Sequence, residues 1–208
     1  MTLPELNQSL HNCQRCKLSK LGRSQVVFGV GNPRASIMFV GEAPGFYEDR
    51  QGEPFVGAAG KLLNELLLSA GLSRTEIYIA NVIKCRPPNN RDPEPDEVET
   101  CKPFLLQQIE LIRPKVVCTL GNWATKTLLE KNVGITKVRG QAMRRDNYVI
   151  FPLLHPAAAL HQGNLREPLE EDFRKLKRYL DQLNAPPPEA TPVSVEPPLI
   201  AQVQMDLF

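Results

Sequence analysis

Apolar residues in this chain gather in four short runs with little polar alternation, at 37–40 (IMFV), 77–80 (IYIA), 116–120 (VVCTL) and 149–154 (VIFPLL). Runs of this kind predict strands buried on both faces. Between them the spacing changes to that of a helix. Leu62, Leu63, Leu66, Leu67 and Ala70 share one face, ended by Gly71, while Leu169, Phe173, Leu176, Leu180 and Leu183 share another with charges opposite. Further helices are predicted from about residue 96, bent or interrupted at Pro103 and closed at Arg113-Pro114, and again after Gly121-Asn122. Arg139-Gly140 and Arg144-Arg145 bracket a predicted hairpin. Strands alternating with helices predict an α/β domain: a four-stranded parallel sheet flanked by helices.

Polar residues fall at the ends of the predicted strands. Glu42, Asn81, Asn122 and His155 each follow an apolar run, and in open α/β sheets that edge is where ligands bind. The first strand runs into a rigid turn, Gly41-Glu42-Ala43-Pro44-Gly45, then an acidic, aromatic loop, then Pro54-Phe55-Val56-Gly57 and a helix from near Gly60. That helix start offers backbone N–H groups as a seat for a phosphate. Alone, this stretch reads equally as an ordinary strand-to-helix loop. With the rim residues it reads as a cup for a small planar ligand. Asn81 offers a donor beside an acceptor, the pattern that meets N3–H and O4 of uracil. Phe55 could stack on such a ring and His155 could donate to O2. Glu42 could stabilise positive charge on a sugar, or position water, as an N-glycosidic bond breaks.

Bulk properties narrow the choice. With 208 residues the chain holds one core-forming domain, expected over 1–184, plus an appendage, expected over 185–208. No apolar run reaches membrane-spanning length, and the first residues lack the pattern of an export signal, so the expectation is a cytoplasmic, membrane-free protein. The net charge is +2, but residues 185–208 contain three acids and no Lys or Arg, leaving +5 on 1–184, compatible with phosphate contacts. Five cysteines without an export signal argue against a disulfide framework. Cys118 lies inside an apolar run and reads as core. Cys13 and Cys16 form a C-x-x-C pair, followed by isolated Cys85 and Cys101. Four such thiolates invite zinc or an iron–sulfur cluster, and the irregular spacing favours the cluster.

The motifs GEAPG at 41–45 and PFVG at 54–57, Ala80-Asn81, the four cysteines and His155-Pro156-Ala157 together resemble a family 4 uracil-DNA glycosylase, the iron–sulfur branch of that superfamily. The resemblance spans nearly all of 1–184. It implies a uracil-DNA glycosylase-like fold, hydrolytic release of uracil from DNA without strand cleavage, and a 4Fe–4S cluster on Cys13, Cys16, Cys85 and Cys101. By match to the family's motifs, Glu42 takes the catalytic carboxylate position and Phe55 the stacking position. Asn81 takes the uracil-reading position and His155 that of the O2 donor, with Gly41 and Ala43 beside Glu42 in the base-binding turn. Glu48 aligns with an acidic position that crowds the thymine methyl, although Phe46 and Tyr47 depart from the more acidic loop often found there. In a related branch the carboxylate falls one residue later, where this chain has Ala43, so Asn90 enters as a candidate helper. The covalently trapping branch carries a basic insertion that is missing between Asn81 and Cys101, implying turnover rather than trapping; the expectation is a monomeric enzyme of base-excision repair.

Uracil must leave the duplex to be cut, and Leu160, in the predicted loop after His155, is either an apolar wedge for the gap or a cap on the adjacent core. Lys137, Arg139 and Arg166 are candidate phosphate contacts. Six of the nineteen prolines lie in 185–208, which predicts a disordered tail. Its last residues, Gln204, Met205, Asp206, Leu207 and Phe208, resemble the peptide by which bacterial repair enzymes dock on the sliding clamp. A competing class is a non-catalytic iron–sulfur module that binds DNA. It needs the cysteines but not Glu42, Asn81 and His155 together.

Overall fold

The computed structural model describes residues 1–145 and 147–185; the proline-rich tail from residue 186 and its terminal peptide lie outside the described residues. In chain order the elements are α1 (Leu3–Leu10), β1 (Val30–Gly31), β2 (Ile37–Gly41), α2 (Phe46–Gln51), α3 (Ala58–Ser69), β3 (Tyr78–Asn81) and α4 (Pro95–Ile112). There follow β4 (Val116–Leu120), α5 (Gly121–Leu129), α6 (Ile135–Val138), β5 (Met143–Arg144), β6 (Val149–Leu153), α7 (Pro156–His161) and α8 (Arg166–Asn184). The strands form one sheet in the order β1-β3-β2-β4-β6-β5. Its four central strands are parallel, as the apolar runs predict. The two-residue strands β1 and β5 add antiparallel edges.

Alternate residues of the central strands feed two separate cores. Ile37 and Phe39 point to the side covered by α3 and α8, where Phe39 stacks on Phe173 at 6.2 Å between ring centres. Met38 and Val40 point to the side covered by α4 and α5, against Leu105, Ile109 and Leu128. Full burial of side chains this size stabilises by about 1.5–3 kcal/mol each, so two-sided coverage holds the sheet rigid beneath its rim. Because β2 lies between β3 and β4, the chain leaves it first to one side and then to the other, opening a crevice at the C-terminal ends of the strands.

Several local expectations are corrected. The acidic, aromatic loop is the helix α2, and the predicted loop after His155 is α7. Pro103 does not break α4; it lies on the exposed face, where the carbonyl it leaves unbonded is open to water. The hairpin is formed by β5 and β6. Helix α1 comes from a capping box: the Thr2 hydroxyl accepts from Glu5 N, and the Glu5 carboxylate accepts from Thr2 N at 2.7 Å.

Candidate active site

Gly41 and Asn81 end neighbouring strands and are register partners. A Cβ on Gly41 would stand 2.4 Å from Asn81 Oδ1 and 2.7 Å from Phe55 Cε2, so only glycine lets these two side chains meet above the strand end. Phe55 itself has φ +56°, a region that bulky residues rarely adopt. Gly60 makes that possible, since a Cβ there would fall 1.8 Å from the Phe55 carbonyl oxygen. The Phe55 ring lies on the His155 ring, 5.6 Å between centres and 29° apart. Phe55, Asn81, His155 and Glu48 line a cavity of about 160 Å³ whose other walls are small: Ala43, Gly45, Ala59 and Ala157. That is well below the roughly 300–1,000 Å³ of pockets for drug-sized ligands and suits a single ring.

Asn81 is 2% exposed, and its Oδ1 has no partner among the described residues. Such an acceptor costs about 1–3 kcal/mol when left unmet, so it marks where a ligand N–H belongs. Its backbone carbonyl, by contrast, is held by the Lys84 ammonium at 2.8 Å, and Lys84 also donates to Gln108. His155 caps α7: its Nδ1 accepts from Ala157 N at 3.1 Å, which leaves the proton on Nε2. Burial lowers its pKa to about 4, so the ring is a neutral donor at physiological pH.

Glu42 follows Gly41 and is half-buried beside the cavity rather than in its wall. Burial, and secondarily the charge of Asp92, raise its pKa to about 7. Glu48 lies in the wall, and its Oε1 accepts from Val56 N and Gly57 N, both at 3.0 Å. A carboxylate therefore occupies the helix start that was expected to seat a phosphate. Asn90 is exposed and accepts from Arg86 Nε at 2.7 Å, and the structure does not bring it to the cavity. Asn122 also leaves the group of rim residues: its Oδ1 accepts from Ile135 N at 2.8 Å and fastens α6. Leu160 is 48% exposed on α7 and caps no core. Of the candidate phosphate contacts, Arg139 pairs with buried Asp172 at 2.9 Å and Arg166 with Glu170 and Glu65.

Cys13, Cys16, Cys85 and Cys101 face one small cavity, about 20 Å³, together with Leu10, Phe104, Arg23 and Lys84. All are free thiols. Arg23 Nη1 donates to Cys85 Sγ at 2.8 Å and Lys84 N to Cys101 Sγ at 3.3 Å. Among the described residues no three His, Cys, Asp or Glu side chains are placed to hold one metal ion. A tetrahedral zinc site needs all its sulfurs about 2.3 Å from a single point. An iron–sulfur cluster takes each thiolate on a different iron, and N–H groups are aimed at three of the sulfurs, since Arg15 Nη1 also donates to Cys13 Sγ at 3.4 Å, so the donor chemistry fits such a cluster. Cys118 is fully buried in β4 and is core.

Sequence reasoning missed Lys84 and Asp92. A lysine in Val82-Ile83-Lys84-Cys85, directly after a buried strand, is itself a signal, because a solvated lysine has no place in such a run. Asp92 gave none.

A single-ring cavity on the rim of a parallel sheet, with a stacking ring, an unmet amide acceptor and a neutral imidazole donor, defines a binding site for a planar, hydrogen-bonding base. A family described as the uracil DNA glycosylase superfamily matches residues 28–182, and the chain belongs to it. Relatives named type-4 uracil-DNA glycosylase place it in that branch. The one from Saccharolobus solfataricus is 51% identical over 180 residues, 82% of this chain and 83% of the relative. That from Sulfurisphaera tokodaii is 48% identical over 185 residues, 85% and 84% of the two chains. One from Thermotoga maritima is 44% identical over 179 residues, 84% and 93%.

Proposed function

We propose that this chain is a monofunctional uracil-DNA glycosylase of base-excision repair, hydrolysing the N-glycosidic bond of deoxyuridine in DNA. The observation that carries the reading is the buried, unpartnered Asn81 Oδ1 in a cavity of one-ring size. Uracil N3–H donates to that oxygen, and the Asn81 amide donates to O4. Phe55 covers one face of the ring, and Gly41 and Ala43 keep the cup shallow. As the bond between C1′ and N1 lengthens, negative charge gathers on the base and is met at O2 by the His155 Nε2–H. A neutral imidazole suits this role because its weakly acidic N–H donates to the anionic oxygen without giving up the proton. Positive charge gathers on the sugar. Ionised Glu42 stabilises it or directs water, whose oxygen adds to C1′ and whose proton passes to Glu42 or to solvent as uracil leaves as an anion. Glu48, pinned by two N–H groups, stands in the cavity wall and crowds a C5-methyl, while Leu160 enters the gap left in the duplex.

Cys13, Cys16, Cys85 and Cys101 are proposed to hold a 4Fe–4S cluster whose role is to bind the N-terminal arm to the segment after β3. The enzyme is proposed to act as a cytoplasmic monomer on the nucleoid. Among the described residues no helix is long and apolar enough to cross a membrane. Residues 204–208 are proposed to dock on a sliding clamp. Deleting them is expected to abolish clamp binding and spare uracil excision on short duplexes, and equal clamp affinity without them would refute that role.

The decisive assay incubates the protein with duplexes bearing U opposite G or A and cleaves abasic sites with alkali. Strand scission is expected, and Asn81→Ala should reduce it by at least about a hundredfold with folding and cluster colour retained. An iron-loaded, folded protein that binds the duplex and releases no uracil would instead support the non-catalytic module.

A further inference from the structure

The first turn of α2 exposes two large aromatics, Phe46 at 43% and Tyr47 at 59%, packed edge to face with 5.4 Å between ring centres. Two guanidinium groups lie over Phe46: Arg50, one turn along the same helix, at 5.3 Å, and Arg86, from the segment after β3, at 5.1 Å. Among the described residues neither arginine is ion-paired, unlike Arg91, Arg139, Arg166, Arg174 and Arg178. Arg86 has one hydrogen bond, to the neutral Asn90 side chain. Gathering two like charges over one exposed ring is unfavourable until an anion meets them, and guanidinium groups in that setting match phosphate oxygens. The patch begins where the base cavity ends, since Gly45 and Glu48 of the same turn line that cavity.

We infer that Arg50, Arg86, Phe46 and Tyr47 form the contact surface for the DNA strand that carries the extruded nucleotide. The guanidinium groups hold phosphates next to that nucleotide, Phe46 keeps the two cations in place, and Tyr47 stacks on a neighbouring base or sugar. This reading rests on the glycosylase assignment and fills the role that Arg139 and Arg166, spent in ion pairs, do not.

The test measures the affinity of the full chain for a duplex bearing 2′-fluoro-deoxyuridine, which resists hydrolysis, by fluorescence anisotropy between about 50 and about 200 mM salt. Arg50→Gln and Arg86→Gln should each make the slope of log affinity against log salt shallower by about 0.9, and the double variant by about 1.8. Arg50→Lys should keep the parental slope. Tyr47→Leu should weaken binding at least about fivefold with the slope unchanged, because stacking carries no charge. Arg174→Gln removes an equal charge on α8 and should leave the slope alone. An unchanged slope in the double variant overturns the inference, whether or not its Tm falls. So does an equal flattening in Arg174→Gln, which would reduce the effect to net charge. A parent chain that shows the expected slopes but releases no uracil from a cleavable duplex overturns the glycosylase assignment and leaves the contact surface standing.

Discussion

Replacing Gly41 by alanine tests the cavity at its narrowest point. The added Cβ would lie 2.4 Å from Asn81 Oδ1 and 2.7 and 2.8 Å from Phe55 Cε2 and Cζ. Non-bonded heavy atoms settle at about 3.5–4.0 Å, so the neighbours must retreat by roughly 1 Å. The Phe55 main chain is fixed where its carbonyl meets Gly60, which limits how far its ring can retreat. The displacement therefore falls on the Asn81 amide, the group proposed to read the base. A misplacement of about 1 Å at a reacting centre costs on the order of a hundredfold in rate. Overpacking of this kind costs about 1–3 kcal/mol of stability, which for a chain this size lowers Tm by only a few degrees. The assay is single-turnover uracil release from a short duplex with enzyme in excess, alongside a thermal melt. Gly41→Ala should lose about two powers of ten in rate while remaining folded at the assay temperature. Gly163→Ala, where nothing lies within 4 Å of the new methyl, should match the parent. A Gly41→Ala protein that releases uracil at the parental rate would refute the placing of the base between Asn81 and Phe55.

Other outcomes follow from the same structure. Burial, then Asp92, raises the Glu42 pKa to about 7, and the ionised form is the useful one. The excision rate should therefore climb with pH up to about 7 and level off above, and Asp92→Asn, by removing a like charge, should move the rising limb to lower pH; a flat profile between about pH 5 and about pH 8 contradicts this. Arg91 holds the Glu97 carboxylate at 2.6 Å, so Arg91→Ala should lower Tm, and an unchanged Tm would show that Glu97 stays satisfied through Glu94 N alone. Protein assembled with iron and sulfide should carry about four iron atoms per chain and absorb broadly in the visible, whereas a single tightly bound zinc would overturn the cluster assignment. Removing that iron should lower Tm and make residues 1–20 easier to proteolyse, because Leu10, Cys13 and Cys16 lose their anchor against Cys85 and Cys101.

What could be read from the residues divides along physical lines. The four central strands were legible because burial on both faces removes polar alternation from them, and the long helices because each covers one core. The short helix α2 was not, since six residues rich in charge and aromatics carry no periodicity to detect. Asn122 shows the limit for side-chain roles. An amide after a strand looks the same whether it faces a ligand or brackets a backbone N–H thirteen residues away. For Arg139 and Arg166, read as candidate phosphate contacts, the partners Asp172 and Glu65 lie 33 and 101 residues distant in the chain, pairings that only the folded contacts reveal. Asn81, Phe55 and His155 were legible because rigid turns or strand ends deliver them, and rigid delivery leaves a mark in glycine and proline.

The vise formed by Gly41, Phe55 and Gly60 has a bearing on how such a protein could be retuned. Main chain meets main chain between Gly60 and Phe55, while at Gly41 the backbone meets the Phe55 ring and the Asn81 amide. Trimming those two side chains would widen the seat only by removing the groups proposed to stack on the base and to read it. Of the other wall residues, Ala43, Gly45, Ala59 and Ala157 are already as small as a methyl or smaller, Asn81 and His155 are proposed to bind the base, and Glu48 has bulk to give up. Changes that admit a larger guest and spare the base-binding side chains pass through Glu48, while changes that shut guests out have several small residues to grow from.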